Sequence, residues 1–280
     1  LFATYDEAMQ SLEQVDIVDI CLPTYLHKTY VMKAADDGKH VICEKPIARH
    51  LDDAKEMIEY CKARNVRLFI GQVLRFFPEY REAKRQLDQG AIGTPAIVRT
   101  TRASAFPQAS NHWYADFEKS GGVILDMIVH DFDFLRWCFG EVERVYAKGM
   151  LGRGFYALDY ALVTLRFASG VIAHVEGSWA HDSFRMKFEI AGKTGILDYD
   201  SARDQPLVAV SRGPKSEFGG VAVPESPLKR NPYFVELQHF LSCIEQNAEP
   251  LVTAGDAYEA LRIALAAIDS IRTGQPVTLR

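Results

Sequence analysis

The strongest constraint in the sequence is a rhythm between Val15 and Gly71, where short β-branched runs alternate with helix-length ones. Val15–Leu22 is mostly apolar and stops at Pro23. A helical stretch from about Leu26 to Asp37 follows and ends at Gly38, a normal place for the glycine just past a helix. His40–Cys43 reads as the next strand, about Leu51–Arg64 as the next helix with Asp52 or Asp53 near its start, and Val66–Ile70 as a third strand closed by Gly71. Short apolar strands separated by helices are joined by right-handed crossovers and pair in parallel, buried on both faces.

The grammar changes after Gly90-Ala-Ile-Gly-Thr-Pro95. Strand-like runs at Ala96–Ala103, Glu143–Met150, Ala157–Phe167, Val171–Trp179, Phe184–Ala191 and Gly195–Tyr199 then follow with few helices between them. Phe167-Ala-Ser-Gly-Val171 and Ala191-Gly-Lys-Thr-Gly195 read as hairpin turns. Helices are expected at about Gly122–Phe139, Tyr233–Gln246 and Thr253–Thr273, and Ser211–Pro232 as a long loop. The expected fold is therefore α/β plus α+β: part of a Rossmann-type parallel sheet in residues 1–93, then an α+β unit with a large, mostly antiparallel open sheet in 94–280. The C-terminal helix is free to pack back onto the first unit.

Composition removes several function classes. The formal charge of −5 argues against a general nucleic-acid binder. No apolar run approaches the roughly 18 residues of a spanning helix. Five dispersed cysteines read as reduced thiols of a cytoplasmic protein rather than a disulfide framework.

In open parallel sheets, ligands bind beyond the carboxyl ends of the strands. One such end carries Cys21-Leu22-Pro23-Thr24 with His27 close behind; another carries Glu44-Lys45-Pro46. A lysine at a crevice mouth suits acid–base work, although Glu44-Lys45 read alone is equally an ordinary ion pair. Pro46 could fix the turn through a cis Lys45–Pro46 bond. The expected helix 122–139 is apolar nearly all round, yet Asp126, His130 and Asp133 stand at i, i+4 and i+7 as one polar stripe. An Asp126–His130 pair one turn apart could hold one imidazole tautomer; a structural bond or cap is the alternative. Asp133 reads as a structural anchor. Arg75 is a weaker candidate for the same crevice, and Asn111-His112-Trp113-Tyr114 is a polar–aromatic cluster able to stack on a sugar or to pack as a loop. Tyr233, at the start of a helix, could reach a substrate. No metal-ligand spacing, nucleophile elbow, Walker A or Gly-x-Gly-x-x-Gly turn is present.

Val18-Asp-Ile-Cys-Leu-Pro-Thr-Tyr-Leu-His27, Gly38-Lys-His-Val-Ile-Cys-Glu-Lys-Pro46, Gly71-Gln-Val-Leu-Arg-Phe-Phe-Pro78 and Gly121-Gly-x3-Asp126-x3-His130-Asp131 resemble the glucose–fructose oxidoreductase/inositol dehydrogenase (Gfo/Idh/MocA) family over essentially the whole chain. The resemblance implies NAD or NADP as cofactor and a sugar, cyclitol or related polyol as substrate. It implies Lys45, Asp126 and His130 as the catalytic set, with Pro23, Thr24, His27, Glu44, Lys45 and Arg75 toward the cofactor. Lys45, Trp113, Asp126, His130 and Tyr233 fall toward the substrate. It also implies that about 50–60 residues carrying a glycine-rich turn, two ~30-residue βαβ units, precede Val15 in family members. The chain as it stands is accordingly expected to bind dinucleotide weakly or be inactive. Other readings are a non-catalytic sugar- or dinucleotide-sensing regulator of the same fold and an NAD-using lyase or glycosidase. The broad sheet suggests a homodimer or homotetramer.

Overall fold

The computed structural model describes residues 1–151, 159–203 and 231–279. After a short helix α1 (Tyr5–Ser11), the expected rhythm forms β1 (Ile17–Ile20), α2 (His27–Asp36), β2 (His40–Glu44), α3 (Leu51–Ala63) and β3 (Leu68–Gly71). The three strands pair in parallel in the order β1-β2-β3, with Ile20 opposite Cys43 and Glu44 opposite Gly71. The helices pack against each other and bury one stripe each: Val31, Ala34 and Ala35 of α2, and Ala54, Met57 and Cys61 of α3.

Helix α4 (Pro78–Asp88) then leads to β4 (Pro95–Ala105). Three helical pieces follow, α5 (Phe117–Ser120), α6 (Gly122–Asp126) and α7 (Val129–Phe139), and then strands β5 (Val142–Met150), β6 (Tyr160–Phe167), β7 (Ile172–Ser178), β8 (Ala180–Gly192) and β9 (Ile196–Asp200). Helices α8 (Pro232–Glu245) and α9 (Ala254–Thr273) and a short β10 (Val277–Thr278) complete the described chain. The second sheet has the order β10-β5-β6-β7-β4-β8-β9; its pairs are antiparallel except β4 with β7. Both expected hairpins are present, at β6–β7 and β8–β9. The long loop expected at Ser211–Pro232 lies outside the described residues except for its last two.

The sequence reading needs two amendments. It overlooked α1, α4, α5 and β10: α1 buries no residue, α4 buries only Tyr80 and Ala83 and so leaves little apolar pattern, and α5 and β10 are very short. It also drew residues 122–139 as one helix, whereas the helix breaks at Met127–Ile128. Gly121 and Gly122 set the entry to this segment with φ of +73° and +65°. A Cβ at Gly121 would lie 2.6 Å from Leu125, and one at Gly122 2.6 Å from the Asp159 carboxylate, so neither position tolerates a side chain without displacement.

The C-terminal helices bind the two sheets into one body. α9 packs on β5 and α7 and also on α3 and β3. α8 lies over the Val73–Phe76 turn, where Phe240 stacks on Phe69 with ring centroids 4.9 Å apart.

Candidate active site

Beyond the carboxyl ends of β1 and β2 a cavity of about 730 Å³ opens toward the second sheet. Its lining includes Pro23, Thr24, Glu44, Lys45, Asp126 and His130, together with Trp113 and Tyr233. The topology explains the meeting. Parallel β1 and β2 deliver their C-terminal residues to one edge of the first sheet, and the broken α6–α7 segment crosses that edge.

Lys45 follows β2 through a cis Lys45–Pro46 bond. The alternative of an ordinary Glu44–Lys45 ion pair is not what forms; Lys45 pairs with Asp126. Lys45 Nζ donates to the Asp126 main-chain oxygen at 2.5 Å and to its Oδ1 at 3.1 Å. The acceptor is the carbonyl of the last residue of α6, at the break where Ile128 N–H bonds back to Val123. Glu44 accepts instead from the Lys45 backbone N–H at 3.1 Å, and burial raises its carboxyl above the ordinary range.

His130 does not pair with Asp126, which is the physical consequence of the same break. Its Nδ1 is buried without a hydrogen-bond partner among the described residues. Burial, reinforced by the positive charges of Lys45 and Arg102, holds the imidazole well below its ordinary pKa. It is therefore neutral at pH 7 and able to accept a proton.

The structure does not bring His27 or Arg75 into the cavity. His27 is fully buried, with Nδ1 3.0 Å from the Pro46 oxygen and Nε2 2.8 Å from the Leu22 oxygen, so it ties together the loops that follow β1 and β2. Arg75 is buried and donates to both Asp133 oxygens, at 2.8 and 2.6 Å, and to the Leu251 carbonyl at 2.9 Å. Asp133 is thus the anchor its position suggested. Arg75 keeps Asp256 at 3.4 Å, so Asp133→Asn weakens the pairing of its charge rather than stranding it and is expected to cost roughly 1–3 kcal/mol. A urea midpoint equal to wild type would remove this pair from the framework of the fold.

The aromatic wall rests on a strained turn. Asn111 and His112 take φ of +62° and +50°, and Trp113 and Tyr114 then stack at 3.9 Å. Tyr233 stands in the first turn of α8, capped by Asn231, whose Oδ1 accepts from the Tyr233 N–H at 2.9 Å. Burial, with Glu44 and Glu236 nearby, pushes the Tyr233 hydroxyl up to about 12.

Sequence reading missed Arg102 and Glu236. Arg102 alternates with Val98 and Thr100 on the inward face of β4, and an arginine in phase with buried residues was the available signal. Glu236 lies one turn beyond Tyr233, 3% exposed, with Oε1 unpartnered among the described residues. Burial first, then Glu44, Asp19 and Asp133, raise its carboxyl to about 9. Between the unfolded value of 4.5 and about 9, the native state holds a proton that the unfolded chain has released. Stability is therefore lost as pH rises through that window. Glu236→Gln, which needs no proton, is expected to raise Tm at pH 8 and leave it nearly unchanged near pH 5. Equal Tm shifts at the two pH values would contradict this.

Among the described residues no group of three His, Cys, Asp or Glu side chains could hold a metal ion, and no helix is long and apolar enough to cross a membrane.

Residues 1–72 match the model "Oxidoreductase family, NAD-binding Rossmann fold", and residues 80–198 match "GFO/IDH/MocA C-terminal domain". The scyllo-inositol 2-dehydrogenase (NAD(+)) of Bacillus subtilis is 33% identical over 279 residues, 95% of this chain and 78% of that protein. The myo-inositol 2-dehydrogenase of Thermotoga maritima is 31% identical over 277 residues, 95% and 80% respectively. Among solved structures, a probable dehydrogenase from Thermotoga maritima superposes with a TM-score of 0.80 at 30% identity, covering 97% of this chain and 83% of that one.

Proposed function

The chain belongs to the Gfo/Idh/MocA oxidoreductase family, and we propose that it oxidises a hydroxyl-bearing carbon of a sugar, cyclitol or related polyol with NAD or NADP. The observation that carries this reading is the convergence of Lys45, Asp126 and a neutral His130 on one cavity beyond the carboxyl ends of a parallel sheet.

The residues at the crevice fit a flat nicotinamide. Leu22 and Pro23 supply an apolar flank, and the Thr24 hydroxyl and Glu44 carboxyl supply polar groups. Gly71 leaves room beside Glu44, where a Cβ would stand 3.3 Å from the carboxyl oxygen. A nicotinamide held there would supply the acceptor for the hydride that leaves the substrate carbon.

The chain's own residues handle the proton and the developing charge. His130, held neutral, takes the hydroxyl proton. The Lys45 ammonium, steadied by the two bonds it donates to Asp126, stabilises the oxygen as it becomes an alkoxide. Trp113 and Tyr233 bound the space in which the ring or polyol chain is held. The outer face of the second sheet carries exposed Tyr146, Leu162 and Ile172, which supports a homodimer or homotetramer through that face. All five cysteines are free thiols, in keeping with a cytoplasmic protein.

A panel of polyols and sugars with NAD and with NADP, followed by nicotinamide absorbance, tests the activity. Net reduction of the cofactor with matching oxidation of a carbinol carbon is expected. Conversion of substrate with no net cofactor reduction would contradict it.

A further inference from the structure

Arg102 stands on the inward face of β4, between Gly177 of β7 and Met186 of β8. It is 3% exposed yet lines the cavity. One edge of its guanidinium is fixed: Nε donates to Asp131 Oδ2 at 2.7 Å, and Nη2 reaches Asp131 Oδ1 and the Tyr80 hydroxyl, each at 3.5 Å. Among the described residues nothing accepts from Nη1. A guanidinium carries five donors; Asp131 and Tyr80 take those of Nε and Nη2, and the Nη1 donors remain for an oxyanion.

Glu44 and Asp182 also line the cavity, but on the side where Arg102 and His130 face it the cations prevail. Lys45 is engaged by Asp126 and Arg102 by Asp131. At His130, the charges of Lys45 and Arg102 act in the same direction as burial, and neither carboxylate offsets them. With Nη1 alone open, the site suits the single charge of a carboxylate better than a phosphate dianion, which would need a second free cation.

We propose that Arg102 determines specificity by binding a carboxylate of the substrate, so that the preferred substrate is a sugar acid rather than a neutral sugar or cyclitol. The assignment rests on the dehydrogenase reading of the same cavity and narrows its substrate class. It has a mechanistic consequence. A carboxylate seated on Arg102 brings negative charge toward His130, offsets the two cations and strengthens the base once substrate is in place.

Tryptophan emission can follow binding, because Trp113 and Trp179 line the cavity. Titration with D-glucuronate and with D-glucose, in the presence of NAD, is expected to show the acid binding roughly ten- to a hundredfold more tightly. Arg102→Gln combined with Asp131→Asn removes both charges without stranding one, and is expected to bring the two Kd values within about threefold. Arg102→Lys keeps the charge but loses the fork and should fall between, which keeps the test readable if the double variant does not fold. Equal affinities in the wild type, or a preference that survives both substitutions, overturns the assignment. Hydride transfer from the same two ligands is read alongside. An acid preference in binding without turnover of either ligand leaves the carboxylate site standing and counts against the dehydrogenase reading. Faster oxidation of glucose than of glucuronate counts against the carboxylate site and leaves the dehydrogenase reading intact.

Discussion

Lys45→Met is expected to lower kcat by roughly 10²–10⁴-fold, because it removes the cation placed to stabilise the developing alkoxide. Lys45 Nζ is held from one side only, by the oxygens of Asp126, which leaves donor capacity for a substrate oxygen in the cavity. Methionine keeps much of the length and volume but offers no donor. The substitution also leaves the Asp126 carboxylate without its partner, so a loss of stability is expected beside the loss of rate. Lys45→Met with Asp126→Asn separates the two effects: it is expected to recover stability and not kcat. A kcat for Lys45→Met within about threefold of wild type, at saturating substrate, would remove Lys45 from the chemistry.

His130→Asn is expected to cost about 10²–10⁴-fold in kcat, the usual range for loss of a general base. Its pH behaviour separates it from a merely structural residue. The folded imidazole sits well below its ordinary value of 6.5, so it stays neutral as pH falls through 6.5. The wild-type kcat/KM should hold across that range and decline only at lower pH, whereas the residual activity of His130→Asn should lack that limb. Linkage gives a second reading of the same group. Its pKa is depressed on folding, so the unfolded chain takes up a proton that the native state refuses. The associated stability is complete above pH 6.5 and is lost as pH falls from 6.5 toward the folded value. His27, also lowered by burial, contributes with the same sign. A limb centred at 6.5 or above would contradict the neutral, cation-flanked imidazole.

Much of this architecture was legible in the residues. Strand–helix alternation from Val15 to Gly71 gave the parallel sheet because its strands are buried and β-branched. The loss of that rhythm after Pro95 gave the second sheet. Asp126 and His130 stood out as ionisable groups on an otherwise apolar helix, and Lys45 by its place directly after an apolar strand. What stayed hidden is the relation among them. The periodicity of residues 122–139 is helical throughout, and only tertiary packing decides that the backbone breaks at Met127–Ile128. The break turns an expected Asp126–His130 pair into an Asp126–Lys45 pair. His27 and Arg75 belong to motifs that flank the crevice, and sequence adjacency could not show that their polar atoms are consumed by Leu22 and Pro46, and by Asp133. Arg102 was hidden for the opposite reason: its partner Asp131 is close to it only in space.

The most direct test of the central claim is transfer of label. The protein is incubated with NAD or NADP and a sugar acid or polyol deuterated at its carbinol carbons, and the reduced cofactor is analysed by mass spectrometry. Deuterium on the reduced nicotinamide with wild type, and little or none with Lys45→Met or His130→Asn under the same conditions, is the result predicted here. Unlabelled cofactor with wild type while substrate is consumed, or labelling equally fast in both variants, would contradict it.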